Sequence, residues 1–136
     1  MNLDKINTFF ENDRYVKLSR MVIDAVEPGK ATCSMMIQPC HLNGWDVVQG
    51  GAIFTLADFA FAVASNVTNG KLTASLNNNI SFFRPPKGKK LLATAKALSA
   101  SKRICFYEVH IIDDLGTPVA QMNVSGYIKD MELDFN

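Results

Sequence analysis

A surplus of charge of either sign is what this sequence most clearly lacks: 14 basic side chains face 13 acidic ones, a formal net charge of +1. Nucleic-acid binders carry a basic excess, so no nucleic-acid partner is expected. Cysteine is scarce, and Cys33, Cys40 and Cys105 are odd in number with no C-x-x-C pair. This excludes a disulfide framework and suits a reducing, cytoplasmic location. Long hydrophobic runs are missing too. The longest, Ala52 to Ala64, is broken by Thr55 and Asp58 and falls short of the ~20 residues that span a bilayer. Met1 to Lys5 lack the apolar core of a signal peptide, so no membrane association is expected. Cys40, His41 and Asp46 are too loosely grouped for a zinc site, and no metal is expected.

What is present is a chain of 136 residues with 48% apolar side chains, enough for one domain over 1–136 with its own core. Leu3, Ile6 and Phe10 recur at helical spacing and predict a short N-terminal helix within 1–18. Met21 to Glu27, then Pro28-Gly29, then the alternating Ala31, Cys33, Met35 and Ile37 predict a β-hairpin. Asn43-Gly44 marks a loop, and Gly50-Gly51 opens a helix that runs to about Asn66. Period-2 segments at 72–83, 91–100, 103–113 and 118–128 predict four further strands, read as an antiparallel meander. The acidic tail, 129–136, is expected to fray. The middle helix is apolar on every face, which predicts burial on all sides within a curved sheet. The expected class is α+β: a long helix wrapped by about six antiparallel strands.

Asp58 lies in the middle of that apolar helix, where a lone buried carboxylate is expensive. Either a polar partner holds it, or it serves as a general base or nucleophile in an apolar pocket. Gly50 and Gly51 precede the helix, where backbone N–H groups lie free beside the positive end of the dipole. Such donors suit an anion or a developing oxyanion. Asp58 is eight residues beyond Gly50, about 12 Å along a helix, whereas reacting groups must meet within ~3.5 Å. If both groups act on one carbonyl, they come from different chains, which predicts a site at a dimer interface.

The stretch from His41 to Asp58, with Asn43, Gln49-Gly50-Gly51 and Leu56-Ala57-Asp58, resembles the signature of hotdog-fold acyl-CoA thioesterases, nearest the phenylacetate-pathway (PaaI-type) branch. Ser75 to Pro85 is similar to the strand that follows in that family. The resemblance implies a hotdog fold from about residue 20 to 128. It implies hydrolysis of an aryl- or medium-chain acyl-CoA, with coenzyme A as part of the substrate and no separate cofactor. By the same likeness Asp58 is the catalytic carboxylate, and the Gly50 amide of the opposite subunit polarises the thioester carbonyl. Asn43 orders substrate or water, and Ser75 assists the water. Gln49 stands where the branch usually has a histidine; it cannot shuttle a proton, but its amide can donate a hydrogen bond. Phe59 replaces a small hydroxyl residue, so its ring narrows the acyl pocket or excludes water.

Gly51, Phe59, Phe82 and Arg84 are the candidate substrate-binding residues, with Arg84 preferred over Lys87, Lys89 and Lys90 for the coenzyme A phosphates. The expected assembly is a homodimer, or a dimer of dimers. A non-catalytic acyl-CoA sensor on the same fold is the alternative, because Gln49 and Phe59 depart from the pattern. His41 is expected to shape its loop rather than to catalyse.

Overall fold

Asn2 and Asp13 divide the N-terminal segment into two helices, not the single one expected within 1–18. The computed structural model, which describes residues 1–136, places α1 at Leu3–Phe10 and α2 at Arg14–Leu18. The Asn2 side chain accepts from the N–H groups of Asp4 and Lys5, and Asp13 Oδ1 accepts from Val16 N–H at 3.0 Å. Each caps a helix start, where backbone donors have no partner of their own.

Six strands follow: β1 (Met21–Glu27), β2 (Lys30–Met36), β3 (Lys71–Phe82), β4 (Lys90–Ala100), β5 (Ile104–Asp113) and β6 (Pro118–Glu132). Gly29, at φ +76°, closes the predicted β1–β2 hairpin. The long helix α3 spans Gly50–Asn69, and Gly70 ends it in the left-handed conformation at φ +61°.

All pairs are antiparallel, in the order β1-β2-β4-β5-β6-β3. Only β4, β5 and β6 form a meander. β3 pairs with β6, from Thr73 opposite Ile128 to Phe82 opposite Ala120, and β5 and β6 separate it from β4. The β3–β4 connection holds Pro85-Pro86, which lack the N–H groups a tight hairpin ladder would use, and the chain crosses the end of the sheet there.

The C-terminal tail is docked, not frayed. Strand β6 extends to Glu132, Leu133 N–H bonds the Gly70 carbonyl, and Asn2 N–H bonds the Phe135 carbonyl. Phe135 is buried, with its ring edge-on to Phe9. That contact pins α1 and the tail together.

Helix α3 lies across one face of the sheet, and its Leu56, Ala60, Val63 and Ala64 are wholly buried. The Phe61 ring meets Tyr107 edge-on at 5.4 Å and sits directly over Gly126. A Cβ at Gly126 would come within 2.8 Å of that ring and 3.0 Å of Cys105 Sγ, so any larger residue forces its neighbours to shift. By length and apolarity α3 could cross a membrane, but packing against the sheet accounts for its composition. One correction bears on function: α3 is not buried on all sides. Gly51, Phe54, Thr55, Asp58 and Ala62 remain exposed or half-buried, at the three- and four-residue spacing of a single face. Asp58 sits within that open stripe.

Candidate active site

The loop before α3 is built around Asn43. Its Oδ1 accepts from Trp45 N–H at 2.8 Å and Val47 N–H at 3.3 Å, while its own N–H bonds the Val47 carbonyl. Asn43 therefore closes the loop with its oxygen and leaves the amide NH2 group without an intrachain partner. His41 shapes the same loop from below. It is buried, its Nδ1 accepts from Gln38 N–H, and its Nε2 lies 2.8 Å from the Ser19 carbonyl. A ring nitrogen that accepts leaves the other to donate, so this pairing fixes the tautomer. Trp45 projects from the loop, 87% exposed, neither in the core nor against a pocket wall.

Gln49 caps α3. Its Oε1 accepts from Gly51 N–H at 2.8 Å, and its carbonyl accepts from Ala52 and Ile53. The paired glycines therefore do not offer the two free donors expected from the sequence. Gly51 N–H is taken by Gln49, and only Gly50 N–H makes no hydrogen bond within the chain. A Cβ on Gly50 would lie 3.3 Å from Phe82 Cζ, so the tip of that ring packs against Gly50. Gly50, Phe82 and Arg84, together with Val47 and Ile53, line one open cavity of about 320 Å³. Arg84 is exposed at its mouth and donates to the Pro118 carbonyl at 2.6 Å.

Asp58 is half-buried, and its carboxylate has no hydrogen-bond donor or cation within the chain. Burial pushes its pKa up, and the nearby Asp13 carboxylate pushes it further in the same direction. Gly50 and Asp58 share α3, so about 12 Å of helix axis separates them. Phe59 points away from the open stripe. It is 4% exposed and meets the Phe10 ring edge-on at 5.9 Å. Ser75 is exposed on β3, opposite Gly126 and beside a bulge, on a strand that ends the sheet. The structure thus gathers Gly50, Phe82 and Arg84, and leaves Asp58, Phe59 and Ser75 outside that cavity.

Two neighbouring carboxylates, at the end of β5 and in the turn after it, were not among the expected site residues and matter here. Asp113 is buried and accepts from four backbone N–H groups: Lys87, Gly88, Leu115 and Thr117, at 2.8 to 3.0 Å. Burial opposes its ionisation, but backbone donors led by Thr117, Lys87 and Gly88 prevail and hold its pKa well below the usual carboxylate range. Asp114 Oδ1 accepts from Lys89 and Lys90 N–H. Together they fasten the Arg84–Lys90 loop to the β5–β6 turn. Asp13 was also missed as a neighbour of Asp58; its only sequence signal was a capping residue ahead of Arg14-Tyr15-Val16.

A long helix packed on one face of a six-stranded antiparallel sheet is the hotdog architecture. Residues 46–120 match the model of the thioesterase superfamily, and the chain belongs to that family. Within it the chain falls in the PaaI-type branch. It is 32% identical over 115 residues to the acyl-coenzyme A thioesterase PaaI of Escherichia coli, covering 84% of this chain and 81% of that one. The solved structure of the E. coli PaaI protein from the phenylacetic acid degradation operon superimposes with a TM-score of 0.90 at 27% identity, covering 97% and 96% of the two chains. A mutant of the phenylacetic acid degradation protein PaaI from Thermus thermophilus superimposes at 0.79, with 27% identity, 85% of this chain and 98% of that one. A relative from Archaeoglobus fulgidus is 34% identical over 103 residues, and the match spans 66% of its length.

Proposed function

We propose that this protein is an acyl-CoA thioesterase that hydrolyses an aryl- or medium-chain acyl-CoA to the free acid and coenzyme A, in a site shared between two copies of the chain. The observation that carries this reading is the pair of unsatisfied groups on α3: the free Gly50 N–H and the unpaired Asp58 carboxylate. The first suits the carbonyl oxygen of a thioester, which gains negative charge as it is attacked. The second, made more basic by burial and by Asp13, suits removal of a proton from the attacking water. The similarity to the E. coli acyl-coenzyme A thioesterase supports the substrate class.

Self-association is part of the proposal. The open stripe of α3 and the free outer edge of β3 are two surfaces that a second copy would cover, and an unpaired edge strand is costly to leave bare. A two-fold arrangement sets the Asp58 of each chain against the Gly50 of its partner. Asn43 offers its free amide hydrogens and Ser75 its hydroxyl to the attacking water. Phe82 and Arg84 hold the coenzyme A side of the substrate, with Arg84 at the phosphates. The free thiols of Cys33, Cys40 and Cys105 suit a cytoplasmic setting.

The test is thiol release from a panel of aryl- and straight-chain acyl-CoAs by the intact protein beside Asp58→Asn, both checked for folding and oligomeric state. Turnover that collapses in the variant supports the reading. Tight acyl-CoA binding with no turnover in the intact protein makes it a sensor instead.

A further inference from the structure

Every backbone donor of the connection from β3 to β4, residues 83–89, is directed outside that loop. Phe83 and Arg84 N–H donate to the Val119 carbonyl, Pro85 and Pro86 have no N–H, and no backbone hydrogen bond joins two of the loop's own residues. The remaining donors go to two carboxylates. Lys87 and Gly88 N–H donate to Asp113 Oδ2, at 2.8 and 3.0 Å, and Lys89 N–H donates to Asp114 Oδ1 at 2.9 Å. A Cβ at Gly88 would collide with the Asp114 carboxylate, so the close approach depends on glycine. The other oxygen of Asp113 accepts from Thr117 N–H, and the next residue, Pro118, offers the carbonyl to which Arg84 donates. Asp113 therefore reaches Arg84 by two routes: through the loop that carries it, and through the turn on which its guanidinium rests.

Because both carboxylates are engaged by backbone, they leave the cations of the loop free. Arg84, Lys87 and Lys89 are exposed, and neither they nor Lys90 are paired with a carboxylate. Resting on the thioesterase reading above, we infer that Asp113 is a positioning residue for the nucleotide end of the substrate. By fixing the loop it keeps Arg84 at the mouth of the Gly50 cavity, where the guanidinium meets the phosphates of coenzyme A. Acting through Arg84 and away from the scissile bond, it governs how well an acyl-CoA binds and leaves the hydrolytic step alone.

The test compares two thioesters of whichever acyl group the intact protein hydrolyses fastest. One is the acyl-CoA, and the other is the acyl-pantetheine, which lacks the nucleotide and its phosphates. The intact protein should prefer the acyl-CoA. In Asp113→Asn the ratio of the two kcat/KM values should fall by about tenfold, through KM for the acyl-CoA, with kcat little changed. A purely structural loss would lower both substrates together and leave the ratio where it was. Arg84→Gln should lower the ratio similarly. The double variant should fall no further than Arg84→Gln alone, as when one residue acts through the other. Should Asp113→Asn fail to fold, Gly88→Ala, which disturbs the same clamp from the loop side, decides by the same ratio. A ratio within about twofold of the intact protein in a folded variant, or effects that multiply in the double variant, overturns the role of Asp113 and leaves the thioesterase reading standing. An intact protein that hydrolyses both thioesters equally well does the same. An intact protein that releases no thiol from any acyl-CoA overturns both.

Discussion

Gly50 and Asp58 stand on one uninterrupted helix, about 12 Å apart along its axis, and each carries a polar group with no partner in its own chain. Two such groups cannot meet one carbonyl carbon from the same subunit. If both act on one thioester, as proposed, a single chain holds only half of the site.

Asp58→Asn should lower kcat/KM by about 100- to 10,000-fold, the range for losing a positioned base. It should also raise the melting temperature at neutral pH. The Asp58 pKa is raised by burial first and by Asp13 second, so the folded chain holds this proton more tightly than the unfolded chain does. The ionised carboxylate thus costs stability as pH rises through its folded pKa, and asparagine removes that cost. Thermal melts from pH 7 down to pH 3 should show the advantage of the variant shrinking as Asp58 becomes protonated in both states.

Gly50→Pro deletes the proposed carbonyl donor with little change of backbone. Proline is well tolerated at the first position of a helix, and Gln49 before it has the extended ψ of 132° that proline requires. Loss of one such donor should reduce kcat by about 100- to 1,000-fold. Gly50→Ala keeps the N–H and merely presses on the Phe82 ring at 3.3 Å. It should retain most of kcat and show its effect in KM.

Asp113→Asn should destabilise the fold and flatten its acid limb. The Asp113 pKa is depressed in the folded state, so its contribution is full above the usual carboxylate pKa and is lost as pH falls below it. An asparagine turns an NH2 group toward two of the four N–H donors. Melts over pH 2.5 to 7 should show the intact protein losing stability steeply in acid and the variant losing less, from a lower start.

Gly126→Ala should cost about 1–3 kcal/mol, as overpacking does in a close-packed core. The added methyl would meet Phe61 and Cys105 together, and the Ala74 carbonyl lies 3.3 Å away. Urea unfolding should show a lower midpoint with an unchanged slope.

Much of this was legible in the sequence because it is local. Apolar spacing, Pro28-Gly29 and Gly70 mark α3 and the first hairpin. The triad Asn43, Gly50 and Asp58 stands at fixed offsets within a single stretch. The pairing of β3 with β6 was not legible, because the alternation of Thr73 to Ile80 fits any antiparallel partner. Only the wrapping around α3 selects Ile128 to Ala120 as the match. The docked tail was hidden because its acidic residues outnumber its one anchor, Phe135, whose partner Phe9 is at the other end of the chain. Asp113 stood only as the last residue of the predicted 103–113 strand, because two of its four donors, Lys87 and Gly88, come from a loop some 25 residues away.

The shared site is tested most directly by mixing two inactive proteins. Asp58→Asn and Gly50→Pro are denatured together, refolded, and assayed for thiol release beside each variant refolded alone. In a mixed two-fold dimer one site inherits both defects and the other inherits neither. Random assortment should therefore restore about one quarter of wild-type activity. A mixture no more active than its components, with mixed dimers demonstrated by mass, would place Gly50 and Asp58 in separate roles and contradict the account.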